Sequence, residues 1–195
     1  MPMVRPLLDV ATPWAAGPAA GDVWLTLAEC EARVPLLLVP WLAEPGLLTN
    51  RVRAECGAAT RLRLLRLELA PMDPEVAHRL GVDDTTCLLR EIEFTCGARR
   101  WVFAQSVLPQ STVRRHPWLR ELGERGLGES LSAVEDVRRE PLEYIELAAG
   151  HPLARAACPE IPAGGPLWAR RAVYRLGGPP ILVQEVFLPA LGRCD

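Results

Sequence analysis

The chain contains no lysine, because all 22 residues counted as lysine or arginine are arginine. Schiff-base enzymes, pyridoxal-phosphate enzymes and Walker-type nucleotide hydrolases each depend on a lysine ammonium group, which a guanidinium cannot replace. The composition therefore excludes these three classes of enzyme. It also requires that the strong cationic contacts to any anionic ligand come from arginine.

A long apolar run is missing as well. The most apolar stretch, Val34 to Ala43, contains two prolines and is far shorter than the roughly 20 residues of a membrane-spanning helix. Among the first twenty residues, Asp9 and several prolines interrupt the apolar run that a secretory signal needs. We therefore expect no membrane span and a cytoplasmic location.

Signatures of nucleic-acid binding and of metal sites are also missing. The net charge is -2, whereas nucleic acid selects for basic surfaces. No cysteine belongs to a CxxC pair or to a Cys/His pattern with metal-site spacing. We therefore expect no nucleic-acid partner and no metal. We also expect reduced thiols at every cysteine, namely Cys30, Cys56, Cys87, Cys96, Cys158 and Cys194.

The pattern predicts a single domain over residues 22–195, after a poorly ordered N-terminal extension over residues 1–21 that is rich in Pro, Ala and Gly. Helices are predicted at 23–32 with Asp22 as N-cap, at 35–43, at 48–56, at 74–80 before Gly81, at 118–122 before Gly123, and from Gly126 onward.

Alternating and β-rich segments predict strands at 61–70, 87–96, 101–108, 134–146, 168–176 and 181–188. The glycine-containing segments 97–100 and 177–180 are typical of hairpin loops, and residues 150–166 are predicted to be a loop. Strands joined by hairpins, with helices gathered before the sheet and in one insertion, indicate an α+β fold with roughly six antiparallel strands.

Two charged residues lie on strand faces that are otherwise apolar. The alternation places Arg90 on the apolar face of strand 87–96 and Glu185 on the apolar face of strand 181–188. A charge on such a face is costly unless it is paired or binds a ligand. Two interpretations remain open. Either Arg90 and Glu185 pair with each other or face solvent, or they line a pocket where Arg90 holds a carboxylate and Glu185 contacts a hydroxyl or moves a proton.

The segments WLAEPGLLTNRV, LLREIEF, GLGESL and ARRAVYRLGGPPILVQEVFLP resemble the bacterial chorismate pyruvate-lyases, in the same order, from about Val34 to Pro189. Members of this family release pyruvate from chorismate and make 4-hydroxybenzoate for ubiquinone biosynthesis. The resemblance implies a six-stranded antiparallel sheet beside a pocket covered by flaps, and a reaction that needs no cofactor. We expect the enzyme to be a monomer.

The resemblance also implies roles for individual residues. Arg90 becomes the binder of the ring carboxylate, and Glu185 becomes the polar contact on the opposite side of the ring. Leu48 and Leu127 become the flap residues that contact the substrate. Either Arg170 or Arg171 could meet the pyruvyl carboxylate, and the alternation allows only one of them to face the pocket. The chain departs from the family at Leu47 and Ala172, where serine is common.

The alternative is a module of the same fold that senses a small aromatic acid without catalysis. Effector-binding domains of one group of bacterial transcription regulators share the lyase-like fold. They normally follow a DNA-binding domain, and the extension over residues 1–21 is too short to contain one. A sister enzyme that forms another hydroxybenzoate isomer is a third hypothesis.

Overall fold

The computed structural model describes residues 22–159 and 166–193, so the predicted N-terminal extension lies outside the described residues. Within these ranges the chain forms one antiparallel sheet of seven strands. The strands are β1 (Thr60–Pro71), β2 (Thr86–Cys96), β3 (Arg99–Pro109), β4 (Val137–Arg139), β5 (Glu143–Leu147), β6 (Leu167–Leu176) and β7 (Pro180–Phe187).

The strand order is β1-β2-β3-β7-β6-β4, and β5 also pairs with β6. The predicted α+β class is confirmed, with seven strands in the described residues instead of about six. The difference lies in segment 134–146, which was predicted as one strand. Pro141 separates β4 from β5, because proline has no N–H to continue a strand ladder. The two short strands therefore pair with different halves of the same edge of β6.

Short helices flank the sheet. They are α1 (Leu27–Cys30), α2 (Val39–Leu42), α3 (Leu48–Cys56), α4 (Pro74–Leu80), α5 (Gln110–Arg115), α6 (Leu127–Leu131) and α7 (Pro152–Ala157). The bounds predicted for α4 are confirmed, since Asp73 accepts a hydrogen bond from the Glu75 N–H and Gly81 ends the helix in the left-handed region. Within the described residues, no helix is long and apolar enough to cross a membrane.

Several predicted helices differ from the structure. The helix expected over 23–32 begins only at Leu27, because Leu25 is held in a β-bridge and Thr26 forms a capping box with Glu29. The helix expected over 35–43 shortens to α2, and the segment expected as helix 118–122 is a 3-10 turn. The helix α5 was missed, and α7 lies inside the predicted loop 150–166.

The sheet has a front and a back face. Even-numbered residues of β2, β3 and β6 lie on the front face with odd-numbered residues of β7. The front packs against α2, α3 and α6, and the back packs against α4 and α7. Because both faces are covered, β2 is buried from Cys87 to Cys96, including its charged residues.

Cys56 and Cys96 form a disulfide, with their Cα atoms 5.7 Å apart. The prediction that all cysteines are reduced thiols is therefore wrong. The two residues are 40 positions apart in sequence. They meet because α3 ends just before β1, whose first residue pairs with the last residue of β2.

Candidate active site

A cavity lies between the front face of the sheet and two segments that cover it. The first flap comprises residues 38–49, with α2 and the start of α3, and the second flap comprises residues 122–131, with α6. Both flaps and the four central strands line the cavity through Gly46, Leu47, Leu48, Thr49, Arg90, Ile92, Phe94, Ala104, Ser106, Leu127, Gly128, Leu131, Arg170, Tyr174, Val183 and Glu185.

The two flaps meet over the cavity. A methyl group placed on Gly128 would lie 2.6 Å from Cδ2 of Leu47, so the glycine permits this close approach. The two leucines predicted to contact the substrate, Leu48 and Leu127, both line the cavity and are 4% and 6% exposed. The flaps thus bring an apolar side chain from each side onto the same enclosed space.

Strand pairing fixes which residues on the cavity floor are neighbours. Arg90 on β2 lies opposite Ser106 on β3. The next front-face residue of β3, Ala104, lies opposite Glu185 on β7, which in turn lies opposite Arg170 on β6. Arg90 and Glu185 therefore share the front face but lie two strands apart, with roughly 10 Å between their backbones across the sheet.

Arg90 is a buried guanidinium without a counter-charge among the residues that the structure describes, and only 1% of it is exposed. Its Nη2 donates to the carbonyl oxygens of Gly123 at 2.8 Å and Arg125 at 2.7 Å, both in the second flap. Its Nε is buried without a hydrogen-bond partner, and no carboxylate of the described residues pairs with it. Burial lowers the pKa of Arg90 to about 10. The side chain is therefore still a cation at neutral pH, and an anion in the cavity would supply its missing partner.

Glu185 pairs with Arg170. The Nε of Arg170 donates to Oε2 of Glu185 at 2.6 Å. The interpretation that Arg90 and Glu185 neutralise each other is therefore wrong. Glu185 lines the cavity, and its second oxygen, Oε1, has no hydrogen-bond partner among the described residues. That oxygen is available to accept a hydrogen bond or a proton from a ligand.

Arg170 and Arg171 lie on opposite faces of the sheet. Arg171 is on the back face, where its guanidinium stacks on Trp24 at 4.1 Å and donates to Glu143 at 2.8 Å. Arg170 lines the cavity. Its guanidinium is already engaged by Glu185 and by carbonyl oxygens of the first flap.

Three polar residues of the cavity wall were not predicted, namely Thr49, Ser106 and Tyr174. Pairing the predicted strands in register would have found Ser106, which lies opposite Arg90. Alternation along β6 would have found Tyr174, which shares a face with Arg170. Burial, followed by the nearby charge of Glu185, raises the pKa of the Tyr174 phenol. The phenol therefore stays protonated and can donate a hydrogen bond.

The fold and the cavity define an α+β domain whose sheet and two flaps enclose a cavity lined by a buried arginine with an unpaired Nε among the described residues. The family model described as "Chorismate lyase" matches residues 21–192 of the chain. A protein from Azoarcus sp. (strain BH72) named "Probable chorismate pyruvate-lyase" is 38% identical over 182 residues, covering 89% of this chain and 94% of the relative. A protein of the same name from Methylococcus capsulatus is 39% identical over 155 residues, covering 77% of this chain and 94% of the relative. The chain belongs to the chorismate lyase family.

Solved structures share the fold at lower identity. The effector domain of PhnF from Mycobacterium smegmatis has a TM-score of 0.53 and 19% identity, covering 77% of this chain and 91% of that chain. The C-terminal domain of the histidine utilization repressor from Pseudomonas syringae pv. tomato has a TM-score of 0.52 and 12% identity, covering 70% of this chain and 96% of that chain. This chain therefore shares its fold with these two solved domains.

Proposed function

We propose that this protein is a chorismate pyruvate-lyase, which eliminates pyruvate from chorismate and leaves 4-hydroxybenzoate. Membership of the chorismate lyase family and the names of its relatives support this function. The proposal includes a monomeric enzyme in the cytoplasm that uses no metal or organic cofactor. It also includes the supply of 4-hydroxybenzoate for ubiquinone or for another product derived from it.

The observation that carries the proposal is the unpaired charge of Arg90. Chorismate and 4-hydroxybenzoate both carry a carboxylate on the ring, and a guanidinium binds a carboxylate through two parallel hydrogen bonds. Arg90 faces the cavity with an unpaired Nε and with no acidic partner among the described residues. We therefore assign the ring carboxylate to Arg90. The ring itself would lie against Leu48, Leu127 and the apolar residues of the floor.

Glu185 would act at the other end of the ring. In the elimination, the C–H bond at the hydroxyl-bearing carbon breaks and its electron pair forms the last double bond of the aromatic ring. The ether C–O bond breaks at the same time, and the enolpyruvate that leaves gains a proton to become pyruvate. We assign Oε1 of Glu185 to the ring hydroxyl or to the proton that leaves the carbon bearing this hydroxyl. The electrons stay within the two products, so the reaction needs no oxidant or reductant.

Product analysis tests the proposal. Purified protein mixed with chorismate should release pyruvate and 4-hydroxybenzoate in equal amounts, measured by an enzyme-coupled assay and by chromatography. Arg90→Ala and Glu185→Ala should each lose most of this turnover, whereas Arg171→Ala, on the back face, serves as the matched control. Undiminished turnover in both cavity variants would contradict the assignment of the site. Release of a different hydroxybenzoate isomer would identify the sister enzyme.

A binder without catalysis is the second candidate, and the fold shared with the PhnF effector domain favours it. Such a protein would also need Arg90 to hold a carboxylate, but it would not need Glu185 beside the reacting carbon. The same mixture distinguishes the two functions. Binding of 4-hydroxybenzoate without release of pyruvate from chorismate would identify the binder.

A further inference from the structure

Arg170 joins the floor of the cavity to the first flap. It is 2% exposed and lies on β6 next to Glu185. While its Nε donates to Glu185, its Nη1 donates to the carbonyl oxygens of Trp41 at 3.2 Å, Leu42 at 3.2 Å and Glu44 at 2.8 Å. A single planar side chain therefore holds one carboxylate and three backbone carbonyl oxygens of residues 41–44 in a fixed relation.

The flap that Arg170 holds also makes other contacts. The Trp41 ring packs edge-on against Trp101 with their centroids 5.8 Å apart, and the Arg51 guanidinium lies 4.7 Å from the Trp41 ring centre. The Glu44 carboxylate accepts a hydrogen bond from the Gly46 N–H at 2.9 Å. These contacts brace residues 41–46 against the sheet and against α3, so a tether at residues 41–44 also helps to set the position of Leu48 over the cavity.

We propose that Arg170 is a positioning residue, which couples closure of the first flap to the orientation of Glu185. The inference rests on the proposed function, because the orientation of Glu185 matters only where Glu185 acts on a ligand. With the flap closed, Arg170 is held by three carbonyl oxygens and presents its Nε to Oε2 of Glu185, which leaves Oε1 directed to the ligand. When the flap opens, Arg170 loses these carbonyl contacts and the carboxylate loses its fixed neighbour.

This role differs from direct binding of the pyruvyl carboxylate, which the sequence predicted for Arg170 or Arg171. A substrate carboxylate would compete with Glu185 for the Nε of Arg170 and with three carbonyl oxygens for its Nη1, so it could bind Arg170 without competition only through Nη2. Arg90, by contrast, already has an unpaired Nε that faces no carboxylate in the described part of the chain. The two arginines therefore have different roles. Arg90 binds the ligand, and Arg170 holds the carboxylate of Glu185.

The test combines kinetics with amide hydrogen exchange on Arg170→Gln, Arg170→Lys and the back-face control Arg171→Gln. Leu42 and Ala43, whose amides donate to the carbonyl oxygens of Leu38 and Val39, report the first flap. Ser130 and Ser132, whose amides donate to the carbonyl oxygens of Gly126 and Gly128, report the second flap. Arg170→Gln should speed exchange of the first pair at least about tenfold and leave the second pair unchanged. It should lower kcat roughly 100-fold with little change in KM, as expected when a reacting group is misplaced by about 1 Å.

Arg170→Lys keeps a positive charge beside Glu185 but lacks the fork that reaches the flap. It should recover part of kcat while the first-flap amides still exchange quickly, and it serves as the second variant if Arg170→Gln does not fold. Arg171→Gln should change neither the steady-state kinetics nor the amide exchange rates.

A large rise in KM with unchanged kcat for Arg170→Gln would overturn the proposal, because it would identify Arg170 as a substrate binder. Unchanged exchange at Leu42 and Ala43 would overturn it as well. If wild-type protein releases no pyruvate, the proposed function fails, and the exchange rates still decide whether Arg170 holds the flap.

Discussion

Arg90 and Arg170 are two buried arginines that line the same cavity and differ in one respect. Each donates to backbone carbonyl oxygens of one flap, Arg90 to the second and Arg170 to the first. Arg170 has a protein carboxylate beside it, whereas Arg90 has none among the described residues. We propose that the paired arginine, Arg170, stabilises the site and that the unpaired arginine, Arg90, binds the ligand, so that one residue type serves two tasks in a chain without lysine.

The largest effect is expected from Arg90→Met. Loss of a charge-assisted, bidentate contact to the substrate should lower kcat/KM roughly 1,000-fold. The free energy of unfolding should change by less than about 1 kcal/mol. The lowered pKa of Arg90 means that burial disfavours its charged form by roughly 3 kcal/mol, and this relief offsets two lost hydrogen bonds of about 1.5 kcal/mol each. Steady-state kinetics and urea unfolding check the two parts.

Arg170→Met is the matched substitution on the other side of the comparison. It removes the partner of a carboxylate and the donor for three carbonyl oxygens, so the ligand-free protein should lose about 4 kcal/mol of stability. Urea unfolding of the two Arg→Met variants side by side measures the difference. Equal free energies of unfolding of the two variants would show that the paired arginine contributes no more to stability than the unpaired one.

The two flaps also differ in how they are anchored. A disulfide fixes the end of α3 beyond the first flap, and no described disulfide fixes the second flap. Cys56→Ser should cost roughly 3 kcal/mol of stability, because the cross-link restricts the unfolded chain. Wild-type protein treated with a thiol reductant should unfold at the same urea concentration as the variant. A variant as stable as the oxidised wild type would show that the bond contributes nothing to the fold.

The smallest effect concerns Glu44, which stiffens the first flap. The hydrogen bond from the Gly46 N–H, followed by the contact with Arg51, lowers the pKa of Glu44 below 4.5. A lowered pKa in the folded state gives stability that is present above 4.5 and is lost as the pH falls through the folded value. Between pH 5 and pH 3, the free energy of opening of the first-flap amides should therefore fall relative to that of the second-flap amides, by less than about 1 kcal/mol. Amide hydrogen exchange measures this difference. Glu44→Gln should remove this pH dependence.

The parts of the fold that were predicted correctly depend on local patterns. The helix α4 was predicted from its flanking Asp73 and Gly81, and the two hairpins were predicted from glycine between alternating segments. Alternation also placed Arg90 and Glu185 on their apolar faces. The parts that failed depend on contacts between distant residues, such as the bridge of Leu25 to Tyr144 that delays α1.

The chemistry of the site was harder to predict, because the partner of a charge depends on strand order. Alternation placed Arg90 on an apolar face of its strand, but only the order β2-β3-β7-β6 separates Arg90 from Glu185 and places Arg170 beside Glu185. Pairing the predicted β6–β7 hairpin in register would have placed Arg170 opposite Glu185. The flap contacts of Arg170 could not be predicted, since residues 41–44 lie over 120 positions away in the sequence.

The central claim is that Arg90 is reserved for the carboxylate of the ligand. The most direct measurement compares the Kd of 4-hydroxybenzoate with that of its neutral amide, 4-hydroxybenzamide, by calorimetry on wild-type protein and on Arg90→Met. Wild-type protein should bind the acid roughly 100-fold more tightly than the amide, and Arg90→Met should bind the two equally. The same ratio of the two Kd values in wild-type protein and in Arg90→Met would show that Arg90 does not bind the carboxylate.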